Sequence, residues 1–94
     1  MNLRFEWDNK KAEQNLLKHG ISFIEAVEVF YDLGAFIFED IKHSVFENRE
    51  LIIGYSKLGK LLIVCFTLRN DKIRIINARQ TNKKEREKYE KNTK

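Results

Sequence analysis

The stretch TLRNDKIR, residues 67–74, sets three cations around an Asn-Asp pair. An Asn-Asp pair between two apolar runs reads as a two-residue hairpin loop. Arg69 then lies opposite Lys72 and Thr67 opposite Arg74, and period-2 alternation puts all four on one face of a sheet. Cations placed this close repel one another, so stability alone does not call for them. Two readings stand. One is a hairpin tip whose charges solvent screens. The other is a surface for phosphate, which arginine forks bind through two parallel hydrogen bonds. Arg79, at the far end of the same strand, falls on the opposite face by strict alternation unless a twist or bulge brings it round.

Other residues offer proton-transfer chemistry. In FENREL, Glu47 and Arg49 precede an apolar run; a carboxylate there can orient an arginine or accept a proton. His19 follows Lys18 at the end of a helical pattern, where capping alone explains a histidine. His43 lies in a loop with Asp40 and Lys42, with no evident partner. Two isolated histidines and the single Cys65 make a poor zinc set, and neither a metal nor a cofactor is expected. No P-loop, dinucleotide fingerprint or nucleophile elbow is present.

The elements that must position these groups are legible from periodicity. Leu3–Trp7 reads as a short strand. Asp8 is placed to cap a first helix, with Trp7 set to staple on Ala12, and with Ala12, Leu16 and Leu17 as its apolar stripe. Gly20 sits where a left-handed residue ends a helix, after Lys18 and His19 in a last turn that favours cations. Ser22 and Glu25 form a capping box for a second helix, whose core face is Phe23, Ala26, Val27 and Phe30. Its other side carries Glu25, Glu28 and Asp32, an acidic face for a partner. AFIF, ELIIGY, KLLIVCFTLR and KIRIINAR then read as strands of an antiparallel meander. From Thr81 the chain is polar and helix-favouring, with Tyr89 as its one large apolar side chain. Such a helix is expected to dock weakly and to offer Arg86 and Tyr89 to a partner. The expected architecture is α+β, ordered β-αα-ββββ-α, with the helical hairpin on one face of the sheet.

Ninety-four residues, 43% of them hydrophobic, fit one domain spanning 1–94. One cysteine excludes an intramolecular disulfide framework and suits a reducing compartment. The longest apolar run is far shorter than a bilayer span, and the N-terminus has no apolar signal region, so a cytoplasmic protein without membrane contact is expected. The net charge of +4 conceals an asymmetry. Residues 21–50 hold seven acids and two bases, whereas residues 70–94 hold nine bases and four acids. Basic surfaces attract phosphate backbones and acidic ones attract basic partners.

The segments FEWD, NLLKHGISF, FENRELIIG, TLR, IRIINAR and KKEREKY, taken in this order, resemble the BrnT family of bacterial toxins over nearly the whole chain. The family commonly reads Ser-Ala-Arg near the end of the last strand; here the residues are Asn77, Ala78 and Arg79. The resemblance implies a RelE-like fold and a ribonuclease toxin that arrests growth. It implies a ribbon–helix–helix antitoxin, BrnA, as partner, with operator DNA bound only through that antitoxin. It also implies RNA cleavage without metal, with Lys18, His19, Glu47, Arg49, Arg69 and Arg79 as catalytic candidates and Lys72 and Arg74 as RNA contacts. His19 or Glu47 is the proton-transfer candidate, and histidine's ordinary pKa near neutrality favours the former. The rival expectation is a non-catalytic module that binds a protein partner in a transcription-regulating complex.

Overall fold

Each short turn between apolar runs forces the next strand back alongside the last, and the sheet follows from that. The computed structural model describes residues 2–44 and 47–92, so Phe46 of FENRELIIG lies outside the described residues. The elements are β1 (Phe5–Glu6), α1 (Asn9–His19), α2 (Phe23–Glu28), β2 (Phe36–Glu39), β3 (Glu50–Tyr55), β4 (Leu61–Arg69), β5 (Lys72–Gln80) and α3 (Lys83–Asn92), with 3-10 turns at Val29–Tyr31 and Ile41–His43. The sheet order is β1-β5-β4-β3-β2. β2 to β5 are antiparallel neighbours, and β1 adds to β5 in parallel through Phe5 and Glu6. The α+β order expected from periodicity is the one observed. Among the described residues, no helix is long and apolar enough to cross a membrane.

β4 is buried from Leu61 to Thr67 because both of its faces are covered. On one face Ile52, Leu62, Val64, Phe66, Ile73, Ile75 and Ala78 pack with Ile21, Phe23, Ala26 and Val29 of the helical hairpin. On the other, Ile53, Leu61 and Ile63 pack with Tyr89 of α3, flanked by Phe36, Phe38 and Leu51. The helical hairpin covers one face as expected, and the weak docking expected of the C-terminal helix is corrected, since it covers the other. The polar C-terminal helix closes the second face, held by Tyr89, the Arg79–Glu85 ion pair and Lys88 over the Phe38 ring.

That tyrosine is anchored at Asp32. The Tyr89 hydroxyl donates to Asp32 Oδ2 at 2.8 Å, and its ring meets Tyr55 edge-on at 5.3 Å. The same carboxylate accepts from the backbone N–H of Tyr55 and Gly34. Burial by itself would raise the Asp32 carboxyl, but these three donors outweigh it and hold the group below its usual range. Gly54 makes the close approach possible: a Cβ there would lie 2.9 Å from Ala35 Cβ and 3.2 Å from Asp32 Oδ2.

The N-terminal caps form as expected, with two differences. Asp8 accepts from Lys10 N, Gly20 takes a φ of 70° and Ser22 accepts from Glu25 N. The expected reciprocal bond from Glu25 is absent, because its carboxylate instead accepts from the Ser56 hydroxyl at 2.8 Å. The expected stripe of α1 is also corrected, since Leu16 is 51% and Leu17 88% exposed. The buried side chain of α1 is Asn15. β1 stops opposite Arg74, which leaves the outer edge of β5 beyond it unpaired by any strand. Asn15 occupies that edge. Its amide donates to the Ala78 carbonyl at 2.8 Å and accepts from the Ala78 N–H at 3.0 Å, imitating a strand. The same NH₂ donates to the Ile21 carbonyl at 2.9 Å and so closes the α1–α2 corner.

Candidate active site

The hairpin Asn70-Asp71 forms as the sequence implies. Both residues have positive φ, 50° and 67°, the mark of a type I′ turn whose twist matches the flanking strands. Arg69 pairs with Lys72 and Thr67 with Arg74. The register then shifts: Phe66 faces Ile75, but Cys65 faces Asn77, so Ile76 is an extra residue in β5. This bulge reverses the later alternation, and Arg79 pairs with Ile63 on the same face as Thr67, Arg69 and Arg74. The four candidate cations of the two strands, Arg69, Lys72, Arg74 and Arg79, thus share one side.

Carboxylates of the chain offset their repulsion. Glu6 meets Arg74 at 3.2 Å and Lys72 at 4.0 Å, a partner no reading of the hairpin alone provides. Glu47 meets Arg69 at 3.1 Å and Arg49 Nε at 3.6 Å, which brings three of the sequence candidates together. Arg49 Nε is buried and, among the described residues, makes no hydrogen bond, so the ionic contact to Glu47 is what holds it. Five cations stand against four carboxylates on this face, Asp40 included, so it stays positive.

Arg79 is held most tightly. Its Nη1 and Nη2 donate to the two oxygens of Glu85, both at 2.8 Å, and Nη1 also donates to the Gln80 carbonyl. Glu85 also accepts from Asn82 N, while Asn82 Oδ1 accepts from Glu85 N, a reciprocal cap on α3. The Arg79 fork, against some opposition from burial, holds the Glu85 carboxyl below its ordinary value, helped by the Asn82 N–H. Glu85 in turn raises Arg79. A guanidinium has five N–H groups, and these contacts use three. Among the described residues Nε–H and the second Nη2–H have no partner; they lie side by side on one edge, the pair that binds a phosphate in two-point fashion.

Two clefts meet at that arginine. One, of about 370 Å³, lies between α1 and β5 and is lined by Lys11, Lys18, His19, Asn77 and Arg79. The other, of about 230 Å³, lies on the cationic face and is lined by Asp40, His43, Cys65, Asn77, Arg79 and Glu85. Asn77 and Arg79 are shared walls. A wider hollow of about 680 Å³ at the hairpin tip has Arg4, Arg69 and Asp71 but no histidine. His19 ends α1 and is half-buried, so it both closes the helix and faces Arg79. Cys65 is not poised as a nucleophile: burial, with Asp40 adding to it, pushes its thiol up to about 11.

His43 is the residue that sequence reasoning passed over. Its Nδ1 lies 3.0 and 3.2 Å from the two oxygens of Asp40, a pairing that the spacing Asp-x-x-His permits on one 3-10 turn. Ser44 ties that turn to Arg49. Its hydroxyl donates to the Asp40 carbonyl and accepts from Arg49 N at 3.0 Å.

The acidic residues expected to face a partner on α2 are engaged within the chain. Glu25 is 8% exposed and holds Ser56, with Lys60 4.0 Å away; Glu28 accepts from Lys57 N; Asp32 carries Tyr89 and Tyr55. These carboxylates fasten the β3–β4 turn and α3 rather than facing outward. Tyr89 is buried too, whereas Arg86 is exposed.

Comparison with known proteins places this geometry. No curated protein sequence matches the chain. Among solved structures, the Brucella abortus ribonuclease toxin BrnT is similar at 25% identity and a TM-score of 0.68, covering 87% of this chain and 100% of that one. A family model described as the ribonuclease toxin BrnT of type II toxin–antitoxin systems matches residues 7–85. With most of its length matched and its fold shared, the chain belongs to the BrnT family of ribonuclease toxins of type II toxin–antitoxin systems.

Proposed function

We propose that this protein cleaves RNA at a phosphate bound on Arg79, using the RNA's own 2′-hydroxyl as nucleophile. The observation that carries the reading is the junction of two clefts at one arginine whose free edge suits phosphate. Attack at phosphorus builds negative charge on the equatorial oxygens, and fixed cations there stabilise it more than they stabilise the substrate. Arg79 supplies the two-point contact, with Lys18 beside it in the α1 cleft. Arg49, Arg69, Lys72 and Arg74 extend the positive surface along the strands and guide the flanking nucleotides. His19 is within the same cleft as Arg79 and is placed for proton transfer. Glu47 is committed to Arg49 and Arg69 and holds those guanidiniums in place.

The reaction needs no metal on this reading, because arginine charge takes the part a cation would take. The cellular outcome is growth arrest in the cytoplasm, relieved by a BrnA-like ribbon–helix–helix antitoxin that also carries the contact to operator DNA. Exposed Arg86 is a candidate contact for that antitoxin. The non-catalytic module finds no support in the family match. Cleavage of mixed-sequence RNA by purified, antitoxin-free protein in EDTA tests the proposal. Arg79→Ala is expected to cost on the order of 10²–10³ in rate. Arg79→Lys should recover only part of it, because an ammonium keeps the charge and loses the fork. Parent-like cleavage by both variants refutes the assignment of Arg79.

A further inference from the structure

We infer that His43, oriented by Asp40, is the general base of this site, acting across the Arg79-bound phosphate from His19. The inference rests on the reading of the chain as an RNA-cleaving enzyme and assigns a group that reading leaves open.

An in-line displacement places the entering and leaving oxygens on opposite sides of phosphorus. A base and an acid must then stand on either side of the anion site. Arg79 and Asn77 form a common wall, with His19 in the cleft on the α1 side and His43 in the cleft on the sheet face. One proton-transfer group on each side meets the requirement.

The Asp40 contact fits His43 to the part of the base. A carboxylate can only accept, and both Asp40 oxygens lie within 3.2 Å of His43 Nδ1. In the neutral ring the proton then sits on Nδ1, facing Asp40, and Nε2 is the acceptor. The His43 side chain is 60% exposed, open to a substrate, while Asp40 is only 12% exposed and locked beneath it. The charged and titratable groups facing this cleft are Asp40 from the same turn, Cys65 from β4, Arg79 from β5 and Glu85 from α3. Glu85 is engaged by Arg79 and Cys65 is buried, so neither competes for the proton.

The step balances without a co-reactant. His43 Nε2 takes the 2′-hydroxyl proton, the 2′-oxygen bonds to phosphorus, and the P–O5′ bond breaks. His19 gives a proton to the departing O5′. The products are a 2′,3′-cyclic phosphate and a 5′-hydroxyl. Asp40 is a positioning residue that keeps the required tautomer.

The test compares the parent chain with His43→Gln, His43→Ala, Asp40→Asn and His19→Gln on mixed-sequence RNA across pH. His43→Gln should cleave on the order of 10²-fold more slowly and lose the low-pH limb of the kcat/KM profile, because a base must be deprotonated to act. His19→Gln should lose the high-pH limb instead. Added imidazole should raise cleavage by His43→Ala at least about tenfold, in keeping with a missing base, a recovery that a merely structural histidine would not show. Asp40→Asn should slow the reaction, since an amide can donate to Nδ1 and reverse the tautomer. If the parent cleaves and His43→Gln cleaves alike, or His43→Ala is not rescued, His43 is not the base and the ribonuclease reading stands without it. A parent chain that cleaves no RNA overturns both.

Discussion

Replacing Asn15 with Ala is the sharpest test of how the site is held. Asn15 is 6% exposed and serves three backbone groups: the Ala78 N–H, the Ala78 carbonyl and the Ile21 carbonyl. Its loss leaves all three buried without their partner, and a buried unsatisfied group costs about 1–3 kcal/mol. Taking the low end for each, because water reaches part of the vacated space, the change costs roughly 3 kcal/mol. A small domain is stable by only about 5–15 kcal/mol, so this is a large fraction. The corresponding fall in Tm is about 12 °C or more at roughly 4–8 °C per kcal/mol. Urea and thermal unfolding followed by circular dichroism measure it directly. Leu17→Ala, at a side chain 88% exposed, is the control and should stay within about 0.5 kcal/mol. An Asn15→Ala cost no larger than that of Leu17→Ala would show that the amide does not stand in for a strand. Because Ala78 adjoins Arg79, the variant should also cleave RNA poorly while folded, through a loosened β5.

Three further outcomes follow from the ion pairs, the second face and the thiol. Glu85 and Asp32 both have lowered folded carboxyl values, so the stability they contribute is present above the ordinary values of 4.5 and 3.8 and is lost as pH falls through the folded ones. Acid unfolding should therefore set in below that range, and Glu85→Gln should flatten the dependence; an unchanged acid profile would refute the Glu85 share. Tyr89→Phe should cost about 1 kcal/mol or more and speed amide exchange in α3, because the hydroxyl bond to Asp32 is removed. Native Cys65 should resist alkylation at pH 8 and react at full rate in denaturant, as a buried thiol raised to about 11 requires; rapid native labelling would show that the cleft opens.

Local chemistry was sufficient wherever a residue acts within a few positions of itself. Asp8, Gly20 and Ser22 mark the helix ends, and Asn70-Asp71 marks the hairpin, because caps and tight turns are decided by neighbours in the chain. The pairing of Arg69 with Lys72 followed from the turn alone. The resemblance carried by the NLLKHGISF and IRIINAR segments, among others, pointed to the family that the comparisons show. Tertiary structure decided the rest. The extra residue Ile76 turns Arg79 onto the cationic face, and no alternation rule reveals a bulge before its partner strand is in place. Asn15 looks like one polar residue in a modest amphipathic helix until the unpaired edge of β5 lies beside it. Glu25, Glu28 and Asp32 read as an exposed acidic face, but distant backbone and hydroxyl donors claim them. Asp40 and His43 stood three residues apart in plain view. Their spacing became meaningful only when β4, β5 and α3 closed a cleft around them, because what a side chain can do chemically depends on the groups that long-range packing sets against it.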